Sequence, residues 1–418
     1  MFTKIFSKNL LVLILLSAVY LLLRLYHLEE SVNFSDEQGK FLLSVLDIWQ
    51  NKHLTLIGPP TSFNFQGRYF FQGPLIYYLL LPFLLIGKWN ALFGSYCLII
   101  LNLPAVWLIF YSVKKLMSFW PAVLAASLFV VFPETVYYTK FIWNPNFLPV
   151  IAAVLLGLMA GVIKINYRLR VFLIGLFLGL GLQFHYQMLI LIILTSGYLI
   201  LKEKIKVVNG LILSLGFLIG YFPIVLFELK HNFYNTQTIF LLLRNGAFFD
   251  SSSTHSYYFL SLFPLMSVLL VFLLLKLWRL NRVLSAVLIS VVLVVCLNKD
   301  FSDIQSNRGM PVSWTYPDAK TAANIIASQK PSDFNVANLL SGDTRAYVQR
   351  YLLATKNITP LAVEDYPDAK QLFVISNSSA EETSSRNVWE ISSFNGRVVK
   401  TWTINQNNKT YLYEFQKD

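Results

Sequence analysis

Long apolar blocks, separated by short polar stretches, fill the chain up to about position 298. A membrane-spanning helix takes roughly 20 apolar residues, fewer where short helices pack inside a bundle. By that measure the blocks at about 9 to 28, 92 to 113, 119 to 138, 147 to 164, 171 to 185, 187 to 201, 208 to 228, 257 to 276 and 283 to 298 predict nine spans. The apolar stretch around His185 reads as two short helices, with one long re-entrant hairpin as the alternative. The first block is too long, and lacks the small-residue cleavage site, to be a signal peptide. One further apolar run, from Pro74 to about Gly87, either crosses the bilayer or lies along its surface.

Charge decides between these. If the run crosses, Lys114, Lys115, Lys164, Arg168, Arg170, Lys202, Lys204, Lys206, Lys276, Arg279 and Arg282 all face outward. If it lies on the surface, all of them are cytoplasmic together with Lys4 and Lys8, against the single acid Glu203, as the positive-inside rule favours. The expected topology therefore has a cytoplasmic N-terminus, with extracytoplasmic loops at about 29 to 92, 140 to 146 and 230 to 256 and an extracytoplasmic tail. After about 299 the composition turns to Ser, Asn, Asp and Lys with short apolar runs. A helix over 318–328, a strand over 335–340, a helix over 344–354 and a strand over 371–376 predict a small α/β domain. Segments 397–404 and 409–415 close it as a hairpin turned at 405–408. The expected division is a membrane domain over 1–298 and an extracytoplasmic domain over 299–418, making a mainly α, polytopic membrane helical bundle with a small α/β appendage.

Composition agrees and excludes other classes. Of 418 residues, 56% are hydrophobic and 13% charged, against about 25% charged in soluble domains. A soluble enzyme, a disordered chain and a nucleic-acid binder are ruled out. The net charge of +12 is largely taken up by the cytoplasmic clusters. Cys97 and Cys296 lie far apart in apolar stretches and read as buried small hydrophobes. Gly175, Gly179 and Gly181 form a small-residue stripe at helical spacing, which fits close helix packing better than a phosphate loop.

The strongest chemical signal follows the first span, where Asp36 and Glu37 open an amphipathic helix. Ser35 and Asp36 read equally as a helix N-cap or, for the acids, as a general base at the membrane surface. Low dielectric there raises a carboxylate's pKa and its basicity. The terminal Arg24-Leu25 of the first span, the Asp36-Glu37 pair and the segment QGPLIYYLLLPF from Gln72 to Phe83, in that order, resemble the GT-C superfamily. Within it the likeness is to the protein O-mannosyltransferase and aminoarabinose transferase branch, glycosyltransferase family 39. The resemblance covers roughly residues 10 to 240 and leaves the C-terminal domain without an assignable motif.

The resemblance implies surface-lying helices in the first loop and an Asp as catalytic base, which carries over to Asp36 with Glu37 as its neighbour or alternate. It also implies a polyprenyl-phosphate sugar donor, an extracytoplasmic protein, lipid or glycan acceptor, and inversion at the sugar. Family members often carry a Lys before the Pro-Pro-Leu segment that meets the lipid phosphate, but here Gln72 and Gly73 stand there. Arg68 is then the nearest basic candidate, with a solvated loop charge as its plain reading, and an outward-facing Lys140 is the second. The lipid tail is expected in an apolar groove between the first-loop helices and the bundle. Candidate sugar or acceptor contacts are Gln72, Tyr77, Trp143, Asn144, Asn146, His185, Gln187 and His231. For Trp143 the competing reading is an interfacial belt, for His185 a satisfied core histidine, and for the loop around Glu228, Lys230, His231 and Asn235 a capped turn.

The chain has no Asp-x-Asp triplet, Walker loop or His/Cys ligand cluster. An activated sugar is therefore expected to arrive on a lipid; no cofactor is expected, with a divalent metal left open. A transporter or flippase of lipid-linked saccharides is the alternative, disfavoured because mid-span regions are nearly free of ionisable residues. A membrane-anchored sensor is the third reading. Sequons at Asn33, Asn357, Asn377 and Asn408, the first beside Asp36, favour a bacterial or archaeal plasma membrane over a eukaryotic secretory one.

Overall fold

A computed structural model describes residues 8–246, 256–312, 314–407 and 409–417. Lys4, the 247–255 part of the third external loop and Asn408 lie outside the described residues. The chain forms two compact units. The first takes Met1–Tyr26, Asn51–Gly87 and Phe93–Phe301; the second takes His27–Gln50, Lys88–Leu92 and Ser302–Asp418.

The first unit is a helical bundle, and every segment expected to span is helical in it. Among the described residues, five helices are long and apolar enough to cross a bilayer: Lys8–Leu25, Leu92–Leu116, Tyr167–Phe184, Ser256–Leu280 and Arg282–Ser306. Val207–Gly220 and Phe222–Lys230 make a sixth if the pair, bent by 75°, is one span. The remaining segments form shorter apolar helices at Phe119–Val131, Asn144–Met159 and Met188–Leu201. The outer faces of these helices carry exposed Leu22, Ile193, Leu211 and Val283, a surface that water would not tolerate and lipid does. The protein is an integral membrane protein. Leu75–Ile86, the run that charge alone kept out of the bilayer, is a 12-residue apolar helix of the same length class as Phe119–Val131 and Met188–Leu201.

The first loop contributes something the sequence pattern did not predict. Strands β1 (Pro60–Phe65) and β2 (Arg68–Phe71) pair antiparallel, with Phe65 opposite Arg68. The two-residue turn between them, Gln66 at φ 51° and Gly67 at φ 77°, has the positive dihedrals that match the twist of a tight hairpin.

The glycine stripe does pack helices together. A Cβ on Gly175 would stand 2.0 Å from the Leu213 carbonyl oxygen, and one on Gly179 would stand 2.3 Å from that of Phe217. The partner helix reciprocates: a Cβ on Gly216 would meet the Phe172 oxygen at 2.2 Å, and one on Gly220 the Leu176 oxygen at 2.3 Å. Two backbones in that proximity gain dispersion and weak Cα–H···O contacts that lipid chains cannot replace. Gly181 faces elsewhere, against Met188.

In the second unit, strands β3 (Phe334–Asn338), β4 (Gln371–Ser376), β5 (Arg397–Asn405) and β6 (Thr410–Gln416) form one sheet in the order β3-β4-β6-β5. β3 and β4 are parallel, and β6 runs antiparallel to both its neighbours. The crossover from β3 to β4 carries the helix Tyr347–Ala354. Every residue of β3 is buried, consistent with the continuous apolar character of parallel strands covered on both faces. The α/β pattern expected from the sequence is present, and the first loop folds into it. Phe34 packs edge-on against Tyr316 at 4.7 Å, Lys320 pairs with Glu29 at 3.1 Å, and the Tyr351 hydroxyl donates to the Trp89 carbonyl at 2.7 Å.

Replacing Gly179 by Leu should force the two glycine-lined helices apart and cost about 2 kcal/mol. Thermal unfolding in detergent is expected to show a clear loss for Gly179→Leu and little change for Gly210→Leu, where a Cβ meets nothing within 4 Å.

Candidate active site

The acidic cluster is built within the second unit. Helix Asp36–Asn51 is capped by its neighbours: the Ser35 amide and hydroxyl both donate to Gln38 Oε1, at 2.9 and 2.7 Å. The Gln38 side chain, not that of Asp36, therefore takes the Ser35 amide at the start of this helix, and the Asp36 carboxylate bonds elsewhere. It is 5% exposed. Its Oδ2 accepts from the Ser341 hydroxyl at 2.5 Å and its Oδ1 from the Tyr347 amide at 2.9 Å.

Tyr347 opens a helix, so Asp36 caps that helix from a distant part of the chain, where the positive end of the helix favours an anion. Two local features make the approach work. Ala346, at φ 56°, takes the left-handed region that side-chain-bearing residues avoid. Gly39, one helical turn beyond Asp36, lies so close that a Cβ would stand 2.5 Å from the Tyr347 carbonyl carbon.

Burial pushes the pKa of Asp36 up, and the charge of Asp343 adds to that; the donors from Ser341 and Tyr347 and the charge of Lys40 oppose it without cancelling it. Glu37 differs, with its side chain 57% exposed and paired to Lys40 at 3.0 Å. Lys40 also reaches Asp343 at 2.9 Å, and Arg345 grips Asp343 through Nε at 2.7 Å and Nη2 at 3.0 Å. Burial alone would raise the pKa of Asp343, but Arg345 and Lys40 hold it down at about 2. The alternating row Glu37, Lys40, Asp343, Arg345 pairs opposite charges beside a carboxylate whose pKa desolvation raises.

The remaining candidates lie in the first unit, and most are tied to each other. The Asn144 amide nitrogen donates to Gln72 Oε1 and, at 2.6 Å, to the Phe184 carbonyl. Asn146 is fully buried, its amide donating to the Phe141 carbonyl at 2.9 Å. His185 and Gln187 meet each other, with the Gln187 amide 3.4 Å from His185 Nδ1 and its Oε1 accepting from the Ser261 amide at 3.3 Å. Trp143 sits 4.5 Å from Tyr257, whose ring lies 5.9 Å from His185. Tyr77 is buried on the Leu75–Ile86 helix.

Hairpin β1-β2 is docked at Phe71 by the Tyr186 hydroxyl at 3.0 Å and by Asn235, whose amide group pairs both ways with the Phe71 main chain. Glu228 fixes Asn235 by accepting from its amide at 2.9 Å and from that of Thr236 at 3.0 Å. The loop around Glu228 is thus a capped turn, as its plain reading had it. Arg68, at the start of β2, lays its guanidinium 4.8 Å over the Tyr234 ring, and its buried Nε has no partner among the described residues.

One expectation is corrected. Lys140 does not face outward: only 3% of it is exposed, because the Tyr138, Phe141 and Trp143 rings stack around its segment. His231 is exposed and packs on Phe227 at 4.5 Å, in the turn after the Phe222–Lys230 helix. The apolar cavity found among the described residues, of about 280 Å³, is lined by Phe129, Phe132, Phe263, Met266, Leu270 and others. It lies between the Phe119–Val131 and Phe263–Leu280 helices. Sequence reading missed Ser341, Asp343, Arg345 and Tyr347 in the second unit, and Gln183, Tyr257 and Tyr258 in the first. Nothing near those residues signals a partner, apart from the turn-like Ser341-Gly342-Asp343 at the end of β3.

No family model matches the sequence, and no curated protein matches it. Solved structures do. ArnT from Cupriavidus metallidurans bound to undecaprenyl phosphate aligns over 98% of this chain and 98% of its own, with a TM-score of 0.60 at 10% identity. Its apo form aligns equally widely, with a TM-score of 0.59. The Archaeoglobus fulgidus oligosaccharyltransferase in complex with zinc and sulfate aligns over 90% of this chain and 69% of its own, with a TM-score of 0.52 at 11% identity. At such identities the likeness is one of architecture: this chain shares its overall fold with ArnT and the archaeal oligosaccharyltransferase.

Proposed function

We propose that the protein is an inverting glycosyltransferase that moves a sugar from a polyprenyl-phosphate carrier to an extracytoplasmic acceptor. The observation that carries this is Asp36, a desolvated, hydrogen-bonded carboxylate just after the first membrane helix of a GT-C fold. A carboxylate has about four acceptor positions, and the two used by Ser341 and Tyr347 leave room for an acceptor's proton. Asp36 removes that proton, the freed oxygen or nitrogen bonds to the anomeric carbon from the face opposite the phosphate, and the carbon–phosphate-oxygen bond breaks. Its electron pair leaves on the polyprenyl phosphate, so the sugar inverts.

Arg68 suits the charge of the departing phosphate, because its fork of donors is only partly engaged and guanidinium pairs well with phosphate. The burial of Lys140 favours Arg68 for that role. The cavity lined by Phe132, Phe263 and Met266 offers an apolar place for an isoprenoid chain. Lipid-phosphate ligation in the ArnT structure supports this reading of the donor. Trp143 and Tyr257 offer aromatic faces for a sugar. The basic clusters between the spans support a cytoplasmic N-terminus and an extracytoplasmic α/β unit.

Zinc in the A. fulgidus oligosaccharyltransferase keeps a divalent ion open on this fold. Among the described residues no three His, Cys, Asp or Glu converge, and both Asp36 oxygens face hydrogen-bond donors. The steps above use the carboxylate alone.

Asp36→Asn should abolish transfer of radiolabelled sugar from polyprenyl-phosphate sugars at matched expression, by about a hundredfold or more, while Glu37→Gln retains most of it. Equal transfer by Asp36→Asn would remove Asp36 as the base. Because desolvation raises the pKa of Asp36, turnover should fall on acidification at a pH above that of an ordinary carboxylate. A rate that is flat through that region would contradict it. Arg68→Gln should raise the KM for the lipid donor about tenfold with a smaller effect on the acceptor KM. Dialysis against EDTA should leave transfer intact, and restoration by added Mg2+, Mn2+ or Zn2+ after a loss would assign a metal requirement.

A further inference from the structure

The α/β unit carries no motif of its own, yet it supplies both groups that hold the Asp36 carboxylate. The Ser341 hydroxyl stands in a particular relation to it. Its oxygen lies 2.5 Å from Asp36 Oδ2 and 2.7 Å from the carbonyl oxygen of Asp343, while it has a single proton to give. Two arrangements of that proton keep both Asp36 oxygens paired. When Asp36 is ionised, the hydroxyl donates to Oδ2 and is withdrawn from the Asp343 carbonyl. When Asp36 holds a proton on Oδ2, the carboxyl donates to the Ser341 oxygen and the hydroxyl turns its own proton to the Asp343 carbonyl. In both, Oδ1 keeps the Tyr347 amide, and pairing matters for a group only 5% exposed.

We propose that Ser341 is a positioning residue for Asp36, a hinge for one hydrogen bond that lets the base take up and release a proton without losing its orientation. The inference rests on Asp36 being the base. The surroundings are fixed to the same end. Gly39 lets the Asp36 helix close on Tyr347, and Ala346 is held in a left-handed conformation that begins the helix whose first amide faces Oδ1. Such strain is kept where the surrounding structure over-determines it, commonly at functional sites. The charged groups facing Asp36 are Glu37 and Lys40 from its own helix and Asp343 and Arg345 from the Ser341–Tyr347 segment, with the phenol of Tyr347 beneath Lys40 at 4.9 Å. All four charges are paired, so the hydroxyl is the one neutral, reversible partner of the carboxylate.

The test uses the full-length protein in proteoliposomes with a defined polyprenyl-phosphate sugar, and measures turnover against pH for wild type, Ser341→Ala, Ser341→Cys and Asp36→Asn. Removing the hydroxyl withdraws a donor that favours the ionised form, so Asp36 stays protonated to higher pH. Ser341→Ala should lower kcat about tenfold, leave the donor KM nearly unchanged and move the acid limb of the profile to higher pH. Ser341→Cys, similar in size with a weak donor, should move the limb the same way by less, and it keeps the question answerable if the alanine variant does not fold. Ser341→Thr, which retains the hydroxyl, should restore the wild-type limb. An unmoved limb in Ser341→Ala or Ser341→Cys, with only thermal stability reduced, would assign Ser341 to domain packing alone and overturn the proposal. Wild-type turnover in Asp36→Asn would instead overturn the underlying assignment of the base, a distinct outcome.

Discussion

A main-chain carbonyl released inside a bilayer has no water to accept from, so each break in a membrane helix needs an internal donor. The bundle is organised around that demand. Pro133 has no N–H to give to the Phe129 carbonyl, and the Thr135 hydroxyl donates there at 2.6 Å instead. Arg24, wholly buried, ends the first helix by donating to the Val130 carbonyl at 3.1 Å and to Thr139 at 2.8 Å, with buried Asp300 supplying an opposing charge. Where the Tyr167–Phe184 helix stops, Asn144 takes the Phe184 carbonyl and the Gly73 amide takes that of Gln183. At the 75° bend, the Gln183 side chain reaches the Gly220 carbonyl at 2.5 Å.

The groups that answer these breaks are the polar residues that a sugar site on this unit would use. Gln72, Asn144, His185 and Gln187 are held by helix ends and by one another, so the same constraint that stabilises broken helices pre-orients polar atoms. Broken helices lining a polar region are tolerated in membranes only where protein or a water-filled cavity covers them. The second unit solves a different problem. It takes residues 27 to 50 of the first loop into its own fold, and a carboxylate that a solvated loop would leave mobile becomes a desolvated and oriented one.

Much of this was legible in the sequence, for identifiable reasons. Apolar length located the membrane helices, and the succession of helical and strand segments after position 299, with the closing hairpin, located the sheet, because both signals are local. The Asp36-Glu37 pair stood out because two acids right after a span are costly without purpose. The β1-β2 hairpin went unread because Gln66-Gly67 is a weaker turn signal than Asn-Gly, and its aromatic strands sit in a loop expected to carry helices. Half of the glycine interface was visible in Gly175 and Gly179, while Gly216 and Gly220 gained meaning only once the two helices were adjacent. Ser341 and Tyr347 lie some three hundred residues from Asp36, and no periodicity or spacing reports a contact of that range. Lys140 was misjudged for a related reason: position in a short loop predicts exposure, and packing of neighbouring aromatic rings overrode it.

The central claim is that this fold breaks a bond between a sugar and a lipid phosphate, and the most direct measurement follows that bond. Purified protein in vesicles would be given a polyprenyl-phosphate sugar of known anomeric configuration together with an extract of acceptors, and the products would be resolved by NMR and by lipid chromatography. The account predicts one free polyprenyl phosphate for each sugar transferred, with the new glycosidic linkage inverted relative to the donor. Passage of the intact lipid-linked sugar from one leaflet to the other, with no free polyprenyl phosphate formed, would contradict it and leave a flippase as the function.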